Sequence, residues 1–296
     1  MKNDIAATIT ESIIKQLEQG TAPWIKPWSS SSVDTSAPHN PAKGTFYRGI
    51  NFLWLSLIQT SGEFGTASTW MTYKQAQDIG AQVSKRAAGK GVQIVFYKPY
   101  EITGALNPET GSHDKKVIPM LKTYTVFNTD FIDGLPVNEI EPVEKPEFQS
   151  IEDCEKFIAT IGADIRHGGN RAFYTSKDDY IQLPEKADFR SNADYYATAL
   201  HELSHWTGSE SRLNRQFGKK FGDNAYSFEE LVAELGAAML CAHNKIDGQL
   251  QHASYIESWL KVLKADSRAI LKASAEAQKI LDYLVKVDEV ELAEAA

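Results

Sequence analysis

Apolar side chains recur every four residues near the start of the chain. Ile5, Ile9, Ile13 and Leu17 form one stripe, and Gly20 follows it. Side chains at this spacing lie on one face of a helix, so the pattern predicts an amphipathic helix that ends at Gly20. Such a helix has one apolar face to bury against the rest of the protein.

The rest of the first half mixes short helical and extended patterns. Residues 52–60 and 72–79 have helical spacing, and Gly80 follows the second of them. Apolar and polar residues alternate over 91–97, and a second extended stretch, 117–127, follows after a run of turn-forming residues. These patterns predict an α+β domain with a small antiparallel sheet.

Helical patterns dominate the second half. They cover 151–161, 192–206, 228–241 and a long stretch, 255–285. The one extended pattern is a short hairpin within 172–183. Many helices and one hairpin leave little room for a doubly wound sheet, so the fold class predicted for the whole chain is α+β with a mostly helical second domain.

The composition is that of a globular protein, with 42% hydrophobic and 24% charged residues in a chain of 296. No apolar run approaches the roughly 18 residues that a membrane-spanning helix needs, and the first residues lack the apolar segment of a secretory signal. Cys154 and Cys241 are too few for a disulfide framework or a four-thiolate zinc site. We therefore expect a cytoplasmic protein without a membrane partner.

The net charge of −8 is unevenly distributed along the chain. Residues 1–136 carry 13 Lys/Arg and 11 Asp/Glu, a net charge of +2, whereas residues 137–296 carry 18 and 28, a net charge of −10. Between the halves, residues 137–150 contain prolines and many glutamates, as is typical of a solvated linker. We expect two domains, 1–136 and 151–296, of which only the first has a charge that suits nucleic acid.

Residues His201-Glu202-Leu203-Ser204-His205 have the spacing of a metal site. Residues four apart on a helix project from the same face, so both imidazoles can bind one ion. Zinc is the expected ion, with manganese or cobalt as alternatives, and Glu202 is placed to act as a general base. The competing interpretation is an ordinary helix with two exposed histidines.

A catalytic site of this kind needs a third protein ligand. A third histidine six residues after the second is excluded, because Ser211 occupies that position. A glutamate from the next helix is the other solution, with Glu230 favoured and Glu229 as the close alternative. Glu234, one turn after Glu230, is expected to hold a ligand histidine in place. Glu229 becomes the ligand if Ser227 and Glu230 instead form a capping box.

A site with this chemistry polarises a carbonyl and activates water, which points to hydrolysis, most simply of a peptide bond. Tyr174, Tyr196 and Tyr226 are candidate donors to the oxyanion, and packing is the alternative role of each. The hairpin at 172–183 offers an edge along which an extended peptide can lie. A metal-dependent nuclease is disfavoured, because a site with so few carboxylates lacks the paired metals usual for phosphodiester hydrolysis.

The first half contains the residue types that hold single-stranded nucleic acid. Bases stack on aromatic rings while Lys and Arg follow the backbone, and neither contact needs a particular base sequence. The competing interpretation is that the tryptophans are buried and that a charge of +2 attracts DNA only weakly. The candidate residues are Trp24, Lys26, Trp28, Tyr47, Arg48, Asn51, Trp70, Tyr73, Lys74, Lys85, Arg86 and Lys90.

Both halves resemble the ArdC-type antirestriction proteins of conjugative plasmids. The matching segments include residues 47–51 and 125–128 in the first half, and 201–208 and 229–236 in the second. The basic turn at 85–88 departs from the family pattern, which has a Lys-Gly pair there. The likeness covers nearly the whole chain in the same order of motifs.

This resemblance implies an N-terminal single-stranded-DNA-binding domain and a C-terminal zincin-like metallopeptidase domain of the gluzincin type. It also implies a plasmid-encoded protein that binds single-stranded DNA without sequence specificity and protects incoming DNA from host restriction during conjugation. A host restriction-modification protein is a candidate target of the peptidase. The alternative is a protein that only coats single-stranded DNA and whose metal site is structural or vestigial.

Overall fold

The computed structural model describes residues 5–19, 37–61, 63–106, 113–135, 147–215, 224–246 and 256–295. In the first half it shows helices interspersed with short strands and one long hairpin. This confirms the α+β prediction. The elements are α1 (Ile5–Glu18), β1 (His39–Asn40), β2 (Thr45–Phe46), α2 (Ile50–Ser61), β3 (Trp70–Thr72), α3 (Tyr73–Asp78), β4 (Gln82–Val83), β5 (Val92–Leu106), β6 (His113–Asn128) and β7 (Ile132–Asp133).

The main sheet of the first half is antiparallel, with the strand order β3-β6-β5. Strands β5 and β6 form a long hairpin whose register runs from the Val92–Val126 pair to the Leu106–His113 pair. Strand β3 pairs only with the last residues of β6, from Val126 to Asn128. Beyond that point, β6 has β5 as its single strand partner among the described residues, so the hairpin continues as a two-stranded ribbon.

The second half is mostly helical, as predicted, and it adds one strand that the sequence analysis missed. Strand β8 pairs in parallel with β10, which also pairs with β9 in the predicted hairpin, so the strand order is β8-β10-β9. The elements are α4 (Glu147–Ile161), β8 (Asp164–His167), β9 (Phe173–Thr175), β10 (Tyr180–Leu183), α5 (Asn192–Trp206), α6 (Asn224–Asn244), α7 (Ile256–Ala265) and α8 (Ala269–Ala295).

The prediction of one continuous helical stretch over 255–285 is wrong. Helix α7 ends at Ala265 and α8 begins at Ala269. At the break, the Asp266 carboxylate accepts a hydrogen bond from the Arg268 N–H at 2.9 Å. Such a local side-chain contact offers the backbone an alternative to helical hydrogen bonding, which accounts for the interruption.

One hydrophobic core extends across both halves. Helix α1 packs against α7, and its fully buried Ile9 belongs to the same cluster as the fully buried Trp259. Thr10 Oγ1 donates a hydrogen bond to the Ser267 carbonyl at 2.6 Å. The first helix of the chain therefore contributes to the core of the second half.

A second, smaller cluster joins α2 to the β3-β6-β5 sheet. It anchors the base of the long hairpin. No helix in the described ranges is long and apolar enough to cross a membrane. The buried members of the cluster are Leu55, Ile58, Trp70, Val92, Ile94 and Val126.

Candidate metal centre and nucleic-acid surface

Helix α5 carries the predicted metal motif. Ser191 caps its start, because the serine hydroxyl accepts a hydrogen bond from the Asp194 N–H at 3.1 Å. His201 and His205 stand nearly perpendicular to each other, with ring centroids 4.9 Å apart. Both are buried, at 3% and 9% exposure, so the interpretation as two exposed histidines is wrong.

Glu230 of α6 faces both histidines. Its Oε2 lies 3.6 Å from His201 Nε2, and its Oε1 lies 3.5 Å from His205 Nε2. One donor atom of each residue lies within 4.8 Å of the other two. Donor atoms around a tetrahedral zinc ion are separated by about 3.3 Å, given metal–donor distances of 2.0–2.2 Å. The three side chains therefore fit a single metal ion between them.

Two further carboxylates face the other nitrogens of the histidines. His201 Nδ1 lies 3.3 Å from Glu234 Oε2, and His205 Nδ1 lies 3.2 Å from Glu229 Oε1. Arg215 donates hydrogen bonds to Glu229 from Nη2 at 2.9 Å and from Nε at 3.1 Å. Partners of this kind hold an imidazole in one orientation. Here they direct both Nε2 atoms towards Glu230.

The capping box that the sequence analysis considered for Glu230 is absent. Helix α6 begins at Asn224, so Ser227 lies within its first turn instead of at its N-cap. Ser227 is also buried, at 2% exposure. The side chain of Glu230 is therefore directed to the histidines, and Glu229 takes the outer position behind one of them.

Small residues allow α5 and α6 to approach closely. A Cβ atom at Gly236 would lie 2.9 Å from Ser204 Oγ and 2.9 Å from Ile280 Cδ1, which is closer than such atoms normally come. Ala233 and Ala237, on the same helix, are fully buried. The approach that brings Glu230 to the histidines thus depends on the missing side chain of Gly236.

The centre is a compact cluster of opposite charges. Burial alone would lower the pKa of both histidines, because it disfavours the charged imidazolium. Hydrogen bonding to Glu230 and Glu234 nevertheless raises the pKa of His201 to about 10, and Glu229 and Glu230 raise the pKa of His205 to about 9. The pKa of Glu230 is held far below its ordinary value despite burial. A divalent cation that binds here replaces these protons.

Glu202 and one tyrosine candidate belong to the helices that form the centre. Glu202 follows His201 on α5, is 7% exposed, and contributes by its charge to the raised pKa of that histidine. Tyr226 is half-buried on α6 and lies four residues before Glu230. Residues at that spacing share one face of a helix, so Tyr226 lies on the face that carries Glu230.

The other two tyrosine candidates have carboxylate partners. The Tyr174 hydroxyl donates a hydrogen bond to Asp179 at 2.8 Å, and Arg212 contacts both residues. The Tyr196 hydroxyl donates to Glu155, and burial followed by that contact raises the pKa of Tyr196. In this arrangement both hydroxyl protons are directed at protein carboxylates.

Three of the predicted DNA-binding residues have internal contacts. Trp70 is fully buried, so its indole cannot stack on a base, and that prediction is corrected. The Tyr47 hydroxyl donates to the Trp70 carbonyl at 2.9 Å, and burial raises the pKa of Tyr47 to about 12. Asn51 exchanges two hydrogen bonds with the backbone of Val95, at 2.7 and 2.9 Å. These contacts hold α2, β3 and β5 together.

The other candidates within the described ranges lie at the surface. Arg48 forms an ion pair with Asp282 of α8 at 2.5 Å and so links the two halves. Lys90 is partly buried and lies 5.5 Å above the Phe64 ring. Trp24, Lys26 and Trp28 lie outside the described residues. The exposed candidates are Arg48, Tyr73, Lys74, Lys85 and Arg86.

The long hairpin carries an exposed aromatic pair that was not among the predicted DNA-binding residues. Phe96 of β5 is 57% exposed and Tyr124 of β6 is 47% exposed, with ring centroids 6.3 Å apart. Alternation over 91–97 predicts the strand, but it gives no sign of where the hairpin leaves the core. In the sequence, Phe96 is therefore indistinguishable from the buried apolar residues that precede it on the strand.

Two family descriptions match this chain. Residues 152–276 match a zincin-like metallopeptidase, and residues 3–127 match the N-terminal domain of the anti-restriction factor ArdC. Fold and site thus define a zincin-like metallopeptidase domain that follows an ArdC N-terminal domain. The chain belongs to the ArdC-type antirestriction proteins, which confirms the resemblance seen in the sequence.

Solved structures and curated relatives agree with this assignment. The metal-free crystal structure of the antirestriction ArdC protein of plasmid R388 is 39% identical, with a TM-score of 0.77, and covers 97% of this chain and 98% of that one. Its Mn(II)-bound structure gives a TM-score of 0.74 over 96% of this chain and 98% of that one, again at 39% identity.

Curated proteins also match over nearly the whole chain. The uncharacterised protein y4eC of Sinorhizobium fredii is 37% identical over 285 residues, which are 95% of this chain and 91% of that protein. The DNA primase TraC of Escherichia coli is 39% identical over 310 residues, or 99% of this chain. The chain spans only 28% of the length of that primase.

Proposed function

We propose that this antirestriction protein joins a metal-dependent, peptidase-type hydrolase to a region that binds single-stranded DNA without sequence specificity. The observation that carries the hydrolase is the position of Glu230, which faces the Nε2 atoms of His201 and His205 at 3.6 and 3.5 Å. Two imidazoles and one carboxylate are the protein ligands of a catalytic zinc site that keeps a position open for water or substrate.

His201, His205 and Glu230 would hold one divalent ion. The donor set favours zinc, and manganese is the second choice, because the related R388 protein has been solved with Mn(II). The ion, when bound, supplies a Lewis acid that polarises a carbonyl and lowers the pKa of water to about 7. Glu229 and Glu234 orient the two histidines from behind.

Glu202 is the proposed general base, which takes a proton from the attacking water and returns it to the leaving amine. Strand β9 is an edge strand of its sheet and packs against α5, so an extended peptide can lie along β9 beside the metal motif. Tyr174 of β9 remains the proposed oxyanion donor. In that role, the Tyr174 hydroxyl donates its hydrogen bond to the substrate oxyanion instead of to Asp179.

The DNA-binding part of the proposal is supported by family membership and by the charge of the first half. Residues 1–136 have a net charge of +2, against −10 for the remainder, and several of their basic side chains are exposed. Binding to single strands would protect plasmid DNA that enters a cell by conjugation. A host restriction-modification protein in the cytoplasm is the proposed target of the hydrolase.

A Glu202→Gln variant tests the hydrolase, because it removes the base and leaves the three metal ligands in place. Plasmid transfer into a restricting recipient is compared with transfer into a non-restricting one. We expect Glu202→Gln to lower transfer only into the restricting recipient, while the exposed control Glu210→Gln behaves as the unmodified protein. Unchanged protection by Glu202→Gln would instead assign the protection to DNA coating alone.

A further inference from the structure

Side-chain exposure changes along one face of the β5–β6 hairpin, close to its base. At the base, Val92, Ile94 and Val126 are buried in the cluster that joins the sheet to α2. One step further along the strands, Phe96 and Tyr124 are 57% and 47% exposed. The exposed aromatic residues therefore follow directly after the buried residues on the same face of the hairpin.

Phe96 and Tyr124 lie on the same face of this hairpin. The register pairs Ile94 with Tyr124 and Phe96 with Lys122, so all four residues share one face. The two rings are diagonal neighbours, with centroids 6.3 Å apart and planes at 83°. Lys122, directly opposite Phe96, is also exposed.

This combination suits one kind of partner. Two exposed rings offer flat apolar surfaces to any base, and the adjacent lysine offers a positive charge to the phosphate backbone. The ring faces and the lysine together match the two groups, base and phosphate, that alternate along a single strand of nucleic acid.

We infer that Phe96, Tyr124 and Lys122 form a base-stacking platform for single-stranded DNA. Phe96 and Tyr124 stack on bases, and Lys122 contacts the intervening phosphate. This inference rests on the proposed DNA binding and names the surface that carries it.

The experiment measures binding of the full chain to a fluorescein-labelled oligothymidine by anisotropy at several salt concentrations. Phe96→Ala and Tyr124→Ala should each weaken binding by about 5- to 150-fold, which corresponds to 1–3 kcal/mol per stacked base. Tyr124→Phe should retain binding, because it keeps the ring. Lys122→Ala should reduce the slope of log affinity against log salt by about one.

Phe46→Ala is the matched control, because Phe46 is a 63% exposed aromatic residue of the same half and lies on β2, away from the hairpin. It should bind as the unmodified protein does. Circular dichroism melting curves of all variants establish that the fold is intact. The substituted side chains are exposed, so we expect the melting temperatures to agree.

Three results would overturn the platform. If the unmodified chain binds DNA and the Phe96→Ala, Tyr124→Ala double variant binds equally well, DNA binding stands and its surface lies elsewhere. If Phe46→Ala weakens binding as much as the hairpin variants, the effect is not specific to this pair. If the double variant binds DNA normally but no longer self-associates in sedimentation, the patch is a protein interface. Failure of the unmodified chain to bind any oligonucleotide would reject the DNA-binding proposal itself.

Discussion

Arg215 donates two hydrogen bonds to Glu229, at 2.9 and 3.1 Å, and both side chains are 5% exposed. The same guanidinium donates to the Ser204 carbonyl at 2.6 Å and to Thr207 Oγ1 at 2.8 Å. It therefore ties the end of α5 to Glu229, which in turn faces His205. The orientation of one proposed ligand depends on a residue that does not face the metal position.

Replacing Arg215 should weaken metal binding without removing a proposed metal ligand. Arg215→Met keeps the side-chain length but loses the hydrogen bonds, so we expect a 10- to 100-fold loss of zinc affinity. Isothermal titration of the metal-free protein measures the loss. The exposed Arg190 provides the control variant Arg190→Met, which should bind zinc normally. Equal affinities for Arg215→Met and the unmodified protein would show that Glu229 needs no such support.

The close approach of α5 and α6 predicts that a side chain at Gly236 destabilises the protein. Gly236→Ala should reduce the free energy of unfolding by roughly 1–2 kcal/mol, since crowding against Ser204 and Ile280 outweighs the better helix propensity of alanine. Adding Ser204→Ala removes the Ser204 Oγ atom that crowds the new methyl group, and it should restore part of the lost free energy of unfolding. Urea denaturation of the two single variants and the double variant gives the coupling energy. Strictly additive effects would contradict the contact.

The contact between α4 and α5 predicts a pH-dependent contribution to stability. Burial alone would raise the pKa of Glu155, but hydrogen bonds from Tyr196 and Lys186 lower it below its ordinary 4.5. A carboxylate with a lowered pKa stabilises the fold above its unfolded-state pKa, and this contribution is lost as the pH falls through the folded-state value.

Glu155→Gln should therefore cost about 1 kcal/mol at pH 7, a modest value because about half of the side chain is exposed and screened by water. The difference from the unmodified protein should shrink as the pH falls below 4.5. Denaturant unfolding across pH 3–7 measures it, with the exposed Glu210→Gln as control. If the difference in unfolding free energy between Glu155→Gln and the unmodified protein is constant with pH, the contact of an ionised Glu155 with Tyr196 and Lys186 is excluded.

Asn51 should behave as a structural residue and not as a DNA ligand. Its two hydrogen bonds to the Val95 backbone are lost in Asn51→Ala, and we expect a cost of about 2 kcal/mol in the free energy of unfolding. The affinity of the Asn51→Ala protein for single-stranded DNA should be unchanged at temperatures where it is fully folded. Gln93→Ala is the control, because Gln93 is exposed on β5, the strand that contains Val95. Weaker DNA binding with unchanged stability would restore the original prediction.

The sequence pattern predicts which helix carries the two histidines of the proposed metal centre, but it does not choose the third ligand. Histidines four residues apart share a helix face wherever that helix packs, so this part of the site depends on local geometry alone. The choice between Glu229 and Glu230 depends on where α6 begins. Ser227 and Glu230 have the spacing of a capping box, yet the helix starts at Asn224 and Ser227 is buried within it.

Tertiary packing also decides which aromatic residues are accessible. Trp70 and Phe96 both lie on strands of the same sheet, but Trp70 is buried where β3 pairs with the end of β6, and Phe96 lies on β5 beyond that three-stranded part. Strand alternation is the same at both positions, so the sequence pattern could not separate them. The exposed patch followed only from the register of β5 with β6 and from the short length of β3.

The metal content of two glutamate variants tests the proposed centre most directly. The metal-free protein is titrated with zinc, and the bound metal is then measured by elemental analysis. We predict that the unmodified protein holds one ion per chain, that Glu230→Ala holds none, and that Glu229→Ala still holds one ion with 10- to 100-fold lower affinity. Full zinc binding by Glu230→Ala, or its complete loss in Glu229→Ala alone, would contradict the assignment of Glu230 as the third ligand.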